Sequence, residues 1–175
     1  MVSDEALMLE FQSGSREAFE ELFERYREPL YGFFRRRLAA KERAADLTQE
    51  TFLAILRATE RYQPRALFRT YLYGIALKLL AAERRRDARC GARMEGESPG
   101  GELDDSLWVR MAIAKLDASE REILMLREYE QLSYSEIAAL LRLPLNTVRS
   151  RLFRARMALK IYLEPAERSR EHVER

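Results

Sequence analysis

One short segment of the chain contains five basic residues, which makes it the first candidate for a binding site: Arg149, Arg151, Arg154, Arg156 and Lys160. Arginine makes planar, two-point hydrogen bonds to phosphates and to the edges of bases, so nucleic acid is the natural ligand of such a segment. The apolar residues between the cations recur at the spacing of a single helix face: Val148, Leu152, Ala155 and Leu159. The sequence therefore predicts a helix with one buried stripe and a basic outer surface.

A shorter helix is predicted just before the basic one, over residues 134–141. Ser133 is its expected N-cap, and Glu136, three residues on, is the partner in a capping box. A proline then interrupts the pattern, and Asn146 or Thr147 is the expected cap of the basic helix. A short helix, a tight turn and a second helix with a polar start form the helix-turn-helix pattern, whose second helix enters the major groove of DNA.

The turn between these two helices carries an unusual residue. Glycine often occupies the position of Arg142, so the pattern predicts a strained backbone there. The alternative interpretation of the segment is an ordinary amphipathic hairpin whose basic face is merely solvated. The capped first helix, the proline turn and the polar start of the second helix together favour DNA binding.

The composition indicates a protein that binds rather than catalyses. Cys90 and His172 are the only cysteine and histidine among 175 residues, so a disulfide, a metal site and a Ser-His-Asp triad are not expected. No P-loop motif is present, and we predict neither a cofactor nor an enzyme. No apolar run approaches the length of a membrane span and no signal segment is evident, so a soluble cytoplasmic protein is the expectation.

Helical periodicity runs through the chain and no strand alternation persists, which predicts an all-α fold. The periodicity is interrupted at residues 90–106, a stretch that contains four of the seven glycines, one of the five prolines and several acids. We therefore predict two small helical domains, 1–89 and 107–164, joined by a flexible linker at 90–106. A charged tail follows at 165–175.

A helix predicted over residues 44–62 has two different faces. One stripe is assigned to the core: Phe52, Ile55, Leu56 and Thr59. A second stripe mixes carboxylate, amide and leucine: Asp46, Gln49, Glu50, Leu53 and Arg57. This second stripe is either a plain solvated face or a docking surface for a partner helix, and periodicity alone leaves both interpretations open.

The helix predicted over residues 68–89 also has an inner and an outer face. Its expected core residues are Phe68, Leu72, Ile75, Leu79 and Ala82. Its outer face carries Tyr71, Gly74, Lys78, Ala81 and Arg85. Small residues there would let a polynucleotide backbone approach, and an exposed aromatic ring stacks on unpaired bases. The alternative treats Tyr71 as the rim of the core and the nearby arginines as solubilising charge.

These segments, in this order, resemble an extracytoplasmic-function (ECF) sigma factor of the sigma-70 family. The sequence DLTQETF at 46–52 fits the family's D-L-x-Q-E-x-F segment in region 2.2, and NTVRSRLFRAR at 146–156 fits region 4.2. Residues 61–73 resemble the loop and helix of region 2.3, and residues 78–86 correspond to region 2.4. The likeness covers nearly the whole chain, and the two motifs in one chain are far more specific than either alone.

The resemblance implies partners and roles. The chain would bind core RNA polymerase, at the β′ clamp helices and the β flap, and promoter DNA. The implied polymerase-binding residues are Asp46, Gln49, Glu50 and Leu53. The implied −10 residues are Gln63, Arg65, Arg69, Tyr71, Lys78, Arg84 and Arg85. The implied −35 residues are Thr147, Arg149, Ser150, Arg151, Phe153, Arg154 and Arg156. Members of the family are commonly held by an anti-sigma factor, which makes such a partner an expectation here.

Individual roles can be assigned within these sets. Arg154 is assigned to bases, because it follows Ser150 by one turn and shares its face, whereas Arg151 and Arg156 are assigned to phosphates. Arg149 suits either a guanine or a phosphate. The chain departs from the family at Tyr71, where Trp is usual, and at Lys78, where Asn is frequent.

Two other classes of protein remain as alternatives. One is a helix-turn-helix transcriptional regulator whose N-terminal half is a sensing or dimerisation module. The other is an RNA-binding adaptor. Binding to core polymerase separates these classes, because a sigma factor makes that enzyme promoter-specific, whereas a regulator binds duplex DNA by itself.

Overall fold

The computed structural model describes residues 2–89 and 105–163, and within these ranges every regular element is a helix. The chain divides into two compact units, Met1–Pro99 and Gly100–Arg175. This confirms the predicted all-α fold of two helical domains. The exact bounds of the linker and the tail stay predictions, and Cys90 and His172 lie outside the described residues. No helix in the described ranges is long and apolar enough to cross a membrane.

The N-terminal unit consists of four α-helices and one 3₁₀ turn: α1 (Asp4–Gln12), α2 (Arg16–Arg35), α3 (Lys41–Ala58), the turn Thr59–Arg61 and α4 (Phe68–Arg89). Ser3 and Ser15 cap α1 and α2, since each hydroxyl oxygen accepts a hydrogen bond from the backbone N–H three residues on. Gly14 turns the chain between these helices with a φ of +106°, which other residues rarely adopt. α2 continues through Pro29 without dividing.

Large aromatic and aliphatic side chains from α2, α3 and α4 fill the core of the N-terminal unit. Its fully buried members include Leu22, Leu30, Phe33, Phe34, Leu47, Ile55, Phe68, Leu72 and Leu80. The ring of Phe33 lies 5.1 Å from that of Phe34 and 5.4 Å from that of Tyr73, measured between centroids. Burial of each such side chain contributes roughly 1.5–3 kcal/mol, so this core sets the orientation of α3 and α4.

The inner face of α3 differs in two residues from its prediction, one of which, Thr59, is half-buried and lies in the 3₁₀ turn after the helix. Phe52 and Ile55 are buried as expected, but Leu56 is 40% exposed. Leu47 and Thr51 complete the inner face instead, and the Thr51 hydroxyl donates to the Leu47 carbonyl at 2.7 Å. A buried threonine that satisfies its own hydroxyl packs like an apolar residue, which the apolar spacing does not show.

The predicted core stripe of α4 is wrong in its second half. Ile75 and Leu79 are half-buried and Ala82 is exposed, whereas Ala76, Leu80 and Glu83 are buried. Both sets fit a helical period, and a run of alanines and leucines gives little contrast between them. The position of the stripe is fixed partly by Glu83, whose carboxylate pairs with an arginine of α3.

The C-terminal unit contains α5 (Asp105–Ala114), α6 (Ala118–Glu128), α7 (Tyr134–Leu141) and α8 (Leu145–Leu163). Its core includes Ile123, Leu126, Leu132, Ile137, Val148, Leu152 and Ala155. The capping box at the start of α7 is confirmed: the Glu136 N–H donates to the Ser133 hydroxyl at 3.3 Å, and the Ser133 N–H donates to the Glu136 carboxylate at 2.8 Å.

The turn of the helix-turn-helix confirms one prediction and corrects another. Arg142 adopts the left-handed conformation, with φ 54° and ψ 45°, and the Leu143 N–H closes the helix end by donating to the Ala138 carbonyl at 2.9 Å. The predicted caps of α8 are wrong, because the helix already begins at Leu145. The Pro144 carbonyl accepts the N–H groups of residues 147 and 148 at 2.9 and 3.2 Å, which places Asn146 and Thr147 inside the first turn.

Candidate partner and nucleic-acid surfaces

The outer face of α3 carries the four residues predicted to bind polymerase. Asp46 and Gln49 are exposed, Glu50 is half-buried, and Leu53 exposes 46% of its surface. They face solvent because the opposite side of the helix holds the buried residues of the core. Exposed leucine beside amide and carboxylate groups is a fitting composition for a protein interface, whose apolar centre has a polar rim.

Arg43 joins this outer face to α4. Its Nε and Nη2 donate to the two carboxylate oxygens of Glu83 at 2.7 and 2.8 Å, and its Nη1 donates to Glu50 at 2.9 Å. The Glu83 side chain is only 5% exposed. Hydrogen bonds from Arg43 hold the pKa of the Glu83 carboxyl below its usual range, and the bond to Glu83 raises the pKa of Arg43. Sequence reasoning missed this cluster, because its two ends are separated by 40 residues.

An open concavity of about 400 Å³ lies where the 3₁₀ turn and the following loop meet α4. It is lined by Ala58, Arg61, Tyr62, Gln63, Arg65 and Tyr71. The structure thus brings together three of the predicted −10 residues, Gln63, Arg65 and Tyr71, and adds Arg61 and Tyr62, which were not predicted. Cationic and aromatic side chains around a space of this size suit an unpaired nucleotide.

Tyr71 belongs both to the wall of this concavity and to the rim of an aromatic cluster. Its ring meets that of Tyr62 edge-on at 5.4 Å and lies 6.4 Å from that of Phe68, between centroids. Burial raises the pKa of Tyr71, and burial, helped by the Glu5 carboxylate, raises the pKa of Tyr62 to about 12. Both phenols are therefore neutral at physiological pH, and the hydroxyl of Tyr62 is buried.

The remaining −10 candidates on α4 do not all share the face of Tyr71. Lys78 and Arg85 are exposed and lie on that face. At 3.6 residues per turn, Arg84 lies roughly 140° around the helix from Tyr71, and Arg69 lies roughly 160° around it, on the half-buried inner side. The structure therefore aligns two of these four cations with the concavity and places the other two elsewhere.

The first turns of α8 present most of the predicted −35 residues to solvent. Arg149, Ser150 and Phe153 are exposed, with Phe153 at 67%, whereas Thr147 and Arg151 are half-buried. Ser150 donates its hydroxyl proton to the Thr147 carbonyl at 3.1 Å. An exposed phenylalanine beside arginines at the start of a second helix offers both apolar and hydrogen-bonding contact to base edges.

Two arginines of α8 are tied to carboxylates of α6. Arg154 Nε donates to Glu120 at 2.7 Å, and Arg156 Nη2 donates to Glu128 at 2.8 Å. The second pair raises the pKa of Arg156 and is half-exposed on both sides, so it opens at little cost. Glu120 is less accessible, with its side chain 16% exposed, and it fixes the orientation of the Arg154 guanidinium.

Comparison with known proteins finds a matching protein family for each of the two units. The family described as Sigma-70 region 2 matches residues 22–90, and the one described as Sigma-70, region 4 matches residues 106–159. RNA polymerase sigma-H factor of Pseudomonas aeruginosa is 34% identical, over 93% of this chain and 94% of its own. ECF RNA polymerase sigma-E factor of Haemophilus influenzae is 31% identical, over 94% of this chain and 97% of its own.

Solved structures give the same answer for the fold. CnrH, in complex with the cytosolic domain of CnrY, has a TM-score of 0.72 and 28% identity, over 93% of this chain and 97% of its own. The sigma factor RpoE of Bartonella quintana, in complex with the anti-sigma factor NepR, has a TM-score of 0.68 over 83% of this chain and 96% of its own. At 22% identity, the second likeness supports the fold alone.

Two helical units of this kind, the second with a helix-turn-helix, define a transcription initiation factor that works with RNA polymerase. The chain belongs to the sigma-70 family and is an extracytoplasmic-function (ECF) sigma factor. It directs core RNA polymerase to specific promoters for initiation, and its relatives are not catalytic enzymes. The alternative of a regulator with a sensing or dimerisation module is set aside, because the N-terminal half matches region 2.

Proposed function

We propose that each of these surfaces has a separate role in transcription initiation. The outer stripe of α3 docks on the β′ clamp helices, the β flap holds the C-terminal unit, and α8 reads the −35 element. The concavity beside Tyr71, with Lys78 and Arg85 on the same face of α4, receives the separated −10 strand. The chain works in the cytoplasm and carries out no covalent chemistry itself.

The observation that carries the −10 assignment is the clustering of Gln63, Arg65 and Tyr71 around one concavity. These residues lie within nine positions of one another, and the loop that follows the 3₁₀ turn places them around the same concavity as Tyr71 of α4. The half-buried ring of Tyr71 offers a stacking surface that is already in place, and the arginines offer positive charge for the neighbouring phosphates. A flat, evenly charged helix face would not favour one unpaired base in this way.

For the C-terminal unit, the proposal rests on the exposed start of α8. Arg149, Ser150 and Phe153 occupy the turns that meet base edges in helix-turn-helix proteins. Arg154 is proposed to read a base, with Glu120 as the acceptor that orients its guanidinium, whereas Arg151 and Arg156 are proposed to contact phosphates. Arg69 and Arg84 are also proposed to contact −10 DNA, from faces of α4 other than that of Tyr71.

A protein inhibitor is part of the same proposal. CnrH, a relative of known structure, is seen in complex with the cytosolic domain of another protein. The present chain exposes apolar side chains on α3 and on α8, such as Leu53 and Phe153, which a protein partner would cover. We therefore propose that an anti-sigma factor competes with polymerase or promoter for these surfaces.

The test of the −10 assignment is transcription by reconstituted holoenzyme with Tyr71→Ala. Base–aromatic stacking is worth roughly 1–3 kcal/mol per base, so we expect a loss of about 5- to 150-fold on duplex promoters. The loss should be smaller on templates already opened at −10, because those need no help with strand separation. Tyr71→Trp should retain activity, since tryptophan keeps the stacking surface.

Tyr31→Ala is the matched control, because Tyr31 is also half-buried in the N-terminal unit but lies on α2, away from the concavity. Equal losses for Tyr71→Ala on duplex and opened templates would show that Tyr71 does not assist strand separation. A loss no greater than that of Tyr31→Ala would show that the ring serves only the packing of the unit.

A further inference from the structure

The loop of the concavity is held at both ends by one helix, α1, which lies far from it in sequence. At the end of the 3₁₀ turn, the side-chain amide Nε2 of Gln12 shares its two hydrogens among the carbonyls of Thr59, Glu60 and Tyr62, at 2.9, 3.1 and 3.3 Å. At the start of α4, the carboxylate of Glu5 accepts the backbone N–H of Phe68 at 2.7 Å. Residues 63–67 lie between these two anchor points.

Both contacts supply what the local sequence lacks. The last carbonyls of a helix and the first N–H groups of the next have no partner inside their own helices. Leu67, which directly precedes α4, has no side-chain oxygen with which to cap it, and Glu5 takes that role from another helix. A carboxylate at a helix N-terminus also interacts favourably with the helix dipole.

The clamping helix is itself fixed to the scaffold. Asp4 accepts a hydrogen bond from Arg25 Nη1 at 2.6 Å and another from the Tyr26 hydroxyl, both on α2. Leu7 and Met8, in the middle of α1, are buried in the core. The loop is therefore held by α1, which is in turn held by α2. Its position does not depend only on the 3₁₀ turn and α4, which flank it.

We propose that α1 is a clamp that holds residues 62–67 in the conformation that accepts a −10 base, with Gln12 and Glu5 as positioning residues. This inference rests on the proposed −10 role of the concavity. Neither side chain is among those that line the concavity, so neither is offered as a base contact. Their effect is to order Tyr62, Gln63 and Arg65 before DNA arrives, which lowers the entropy cost of binding.

The experiment uses the full chain assembled with core polymerase. Binding is measured to single-stranded oligonucleotides that carry the −10 non-template sequence and to the same oligonucleotides with each base replaced in turn. The variants are Gln12→Ala, which removes the amide donor, and Glu5→Leu, which removes the acceptor. Glu5→Gln keeps an acceptor oxygen and removes only the charge.

Two control variants lie on α1 or directly after it, and a third lies in the core on α2. Glu10→Gln removes a carboxylate from an exposed position, and Ser13→Ala removes a hydroxyl that donates only within α1, to the Leu9 carbonyl at 3.0 Å. Leu30→Ala removes a fully buried side chain of α2 and therefore lowers the stability of the unit without changing α1 or the loop anchors. Thermal unfolding of every variant is measured alongside binding.

We expect Gln12→Ala and Glu5→Leu each to reduce the ratio between the best and the substituted −10 sequences by about fivefold, the effect of one lost hydrogen bond. Glu5→Gln should retain most of this ratio, and all three controls should keep it, including the destabilised Leu30→Ala. The backbone N–H of Phe68 should exchange its hydrogen faster in Glu5→Leu than in the unchanged chain, because the N–H loses its acceptor.

Unchanged discrimination in Gln12→Ala and Glu5→Leu would overturn the clamp. So would an equal loss in Leu30→Ala, because the effect would then follow general stability. If the unchanged holoenzyme itself does not distinguish −10 bases, the proposed role of the concavity fails instead. In that case hydrogen exchange at Phe68 still decides whether Glu5 holds the start of α4, since that measurement needs no DNA.

Discussion

The pair between Arg43 and Glu83 allows the sharpest prediction about the N-terminal unit. Replacing Arg43 with alanine leaves the Glu83 carboxylate, whose side chain is 5% exposed, without the guanidinium that donates to both of its oxygens. Removing one member of a buried ion pair typically costs about 3–5 kcal/mol, because the other charge stays buried without compensation. Arg86 Nη2 still donates to Glu83 at 3.1 Å, and Arg43 is itself 23% exposed, so we expect a cost no larger than the lower limit, about 3 kcal/mol.

Two further variants separate the buried charge from the lost packing. Glu50→Gln removes only the partly exposed side of the cluster, and we expect less than about 1 kcal/mol. The double variant Arg43→Met with Glu83→Leu removes both charges and keeps apolar volume. It should therefore recover most of the stability lost in Arg43→Ala, since a buried pair replaced by apolar residues is often neutral.

The assay must report on the N-terminal unit alone. Trp108, the only tryptophan of the chain, lies in the C-terminal unit, so its fluorescence would follow the wrong transition. Hydrogen exchange of the buried backbone amides of α3 and α4 gives the unfolding free energy of the N-terminal unit directly. A surface pair provides the control: Arg16→Ala breaks an ion pair with Glu20 whose side chains are 88% and 64% exposed, and it should cost almost nothing.

The same cluster predicts a dependence on pH. The folded-state pKa of Glu83 is lowered, chiefly by its hydrogen bonds from Arg43. Its stabilising contribution is therefore complete above the pKa of the unfolded chain and is lost as the pH falls through the lower folded value. We expect Arg43→Ala to flatten this acid limb. A cost for Arg43→Ala as small as that for Arg16→Ala, with an unchanged acid limb, would refute the reasoning.

Three further predictions concern the other surfaces. Leu53→Glu should weaken binding to core polymerase by about 2 kcal/mol or more, as at an interface hot spot, whereas Leu56→Glu, at a similarly exposed leucine outside the stripe, should bind normally. Arg154→Ala, bound to a library of −35 variants at two salt concentrations, should lose roughly 1–3 kcal/mol of discrimination at one base pair; a uniform loss would make Arg154 a phosphate contact. Arg142→Gly should raise the stability of the C-terminal unit by about 1 kcal/mol, because glycine adopts the left-handed backbone conformation without strain. Urea unfolding followed by Trp108 fluorescence measures this change, and no gain in stability would show that Arg142 is not strained.

Features that depend on neighbouring residues could be predicted from the sequence. The capping box of α7 and the left-handed residue at its end are local, and each has a signature of a few residues. The two faces of α3 were also largely recovered, because apolar and polar residues alternate there with clear contrast. The start of α8 was placed too late, because the first hydrogen bonds of the helix already run from residues 147 and 148 to the Pro144 carbonyl.

Features that depend on distant residues could not be predicted in this way. The burial of Glu83 was not predicted, and only the fold shows the arginine of α3 that compensates it. Gln12 and Glu5 likewise sit on a short helix whose sequence gives no sign of a loop about 50 and 60 residues further on. Of the −10 candidates, Gln63, Arg65 and Tyr71 line one concavity in the structure. Arg69 and Arg84 lie on other faces of α4, which could be recognised only once the orientation of the helix was known.

The contacts that sequence reasoning missed share a physical role. Arg43 touches Glu50 on the outer stripe of α3 and Glu83 on the inner face of α4 with one planar guanidinium. A bidentate pair of this kind fixes distance and orientation together. The proposed polymerase-binding stripe and the proposed −10 surface therefore lie on two helices that are held as one rigid piece, while α1 holds the intervening loop. A base can then be received at a defined distance from the polymerase contact, which two independently moving helices would not provide.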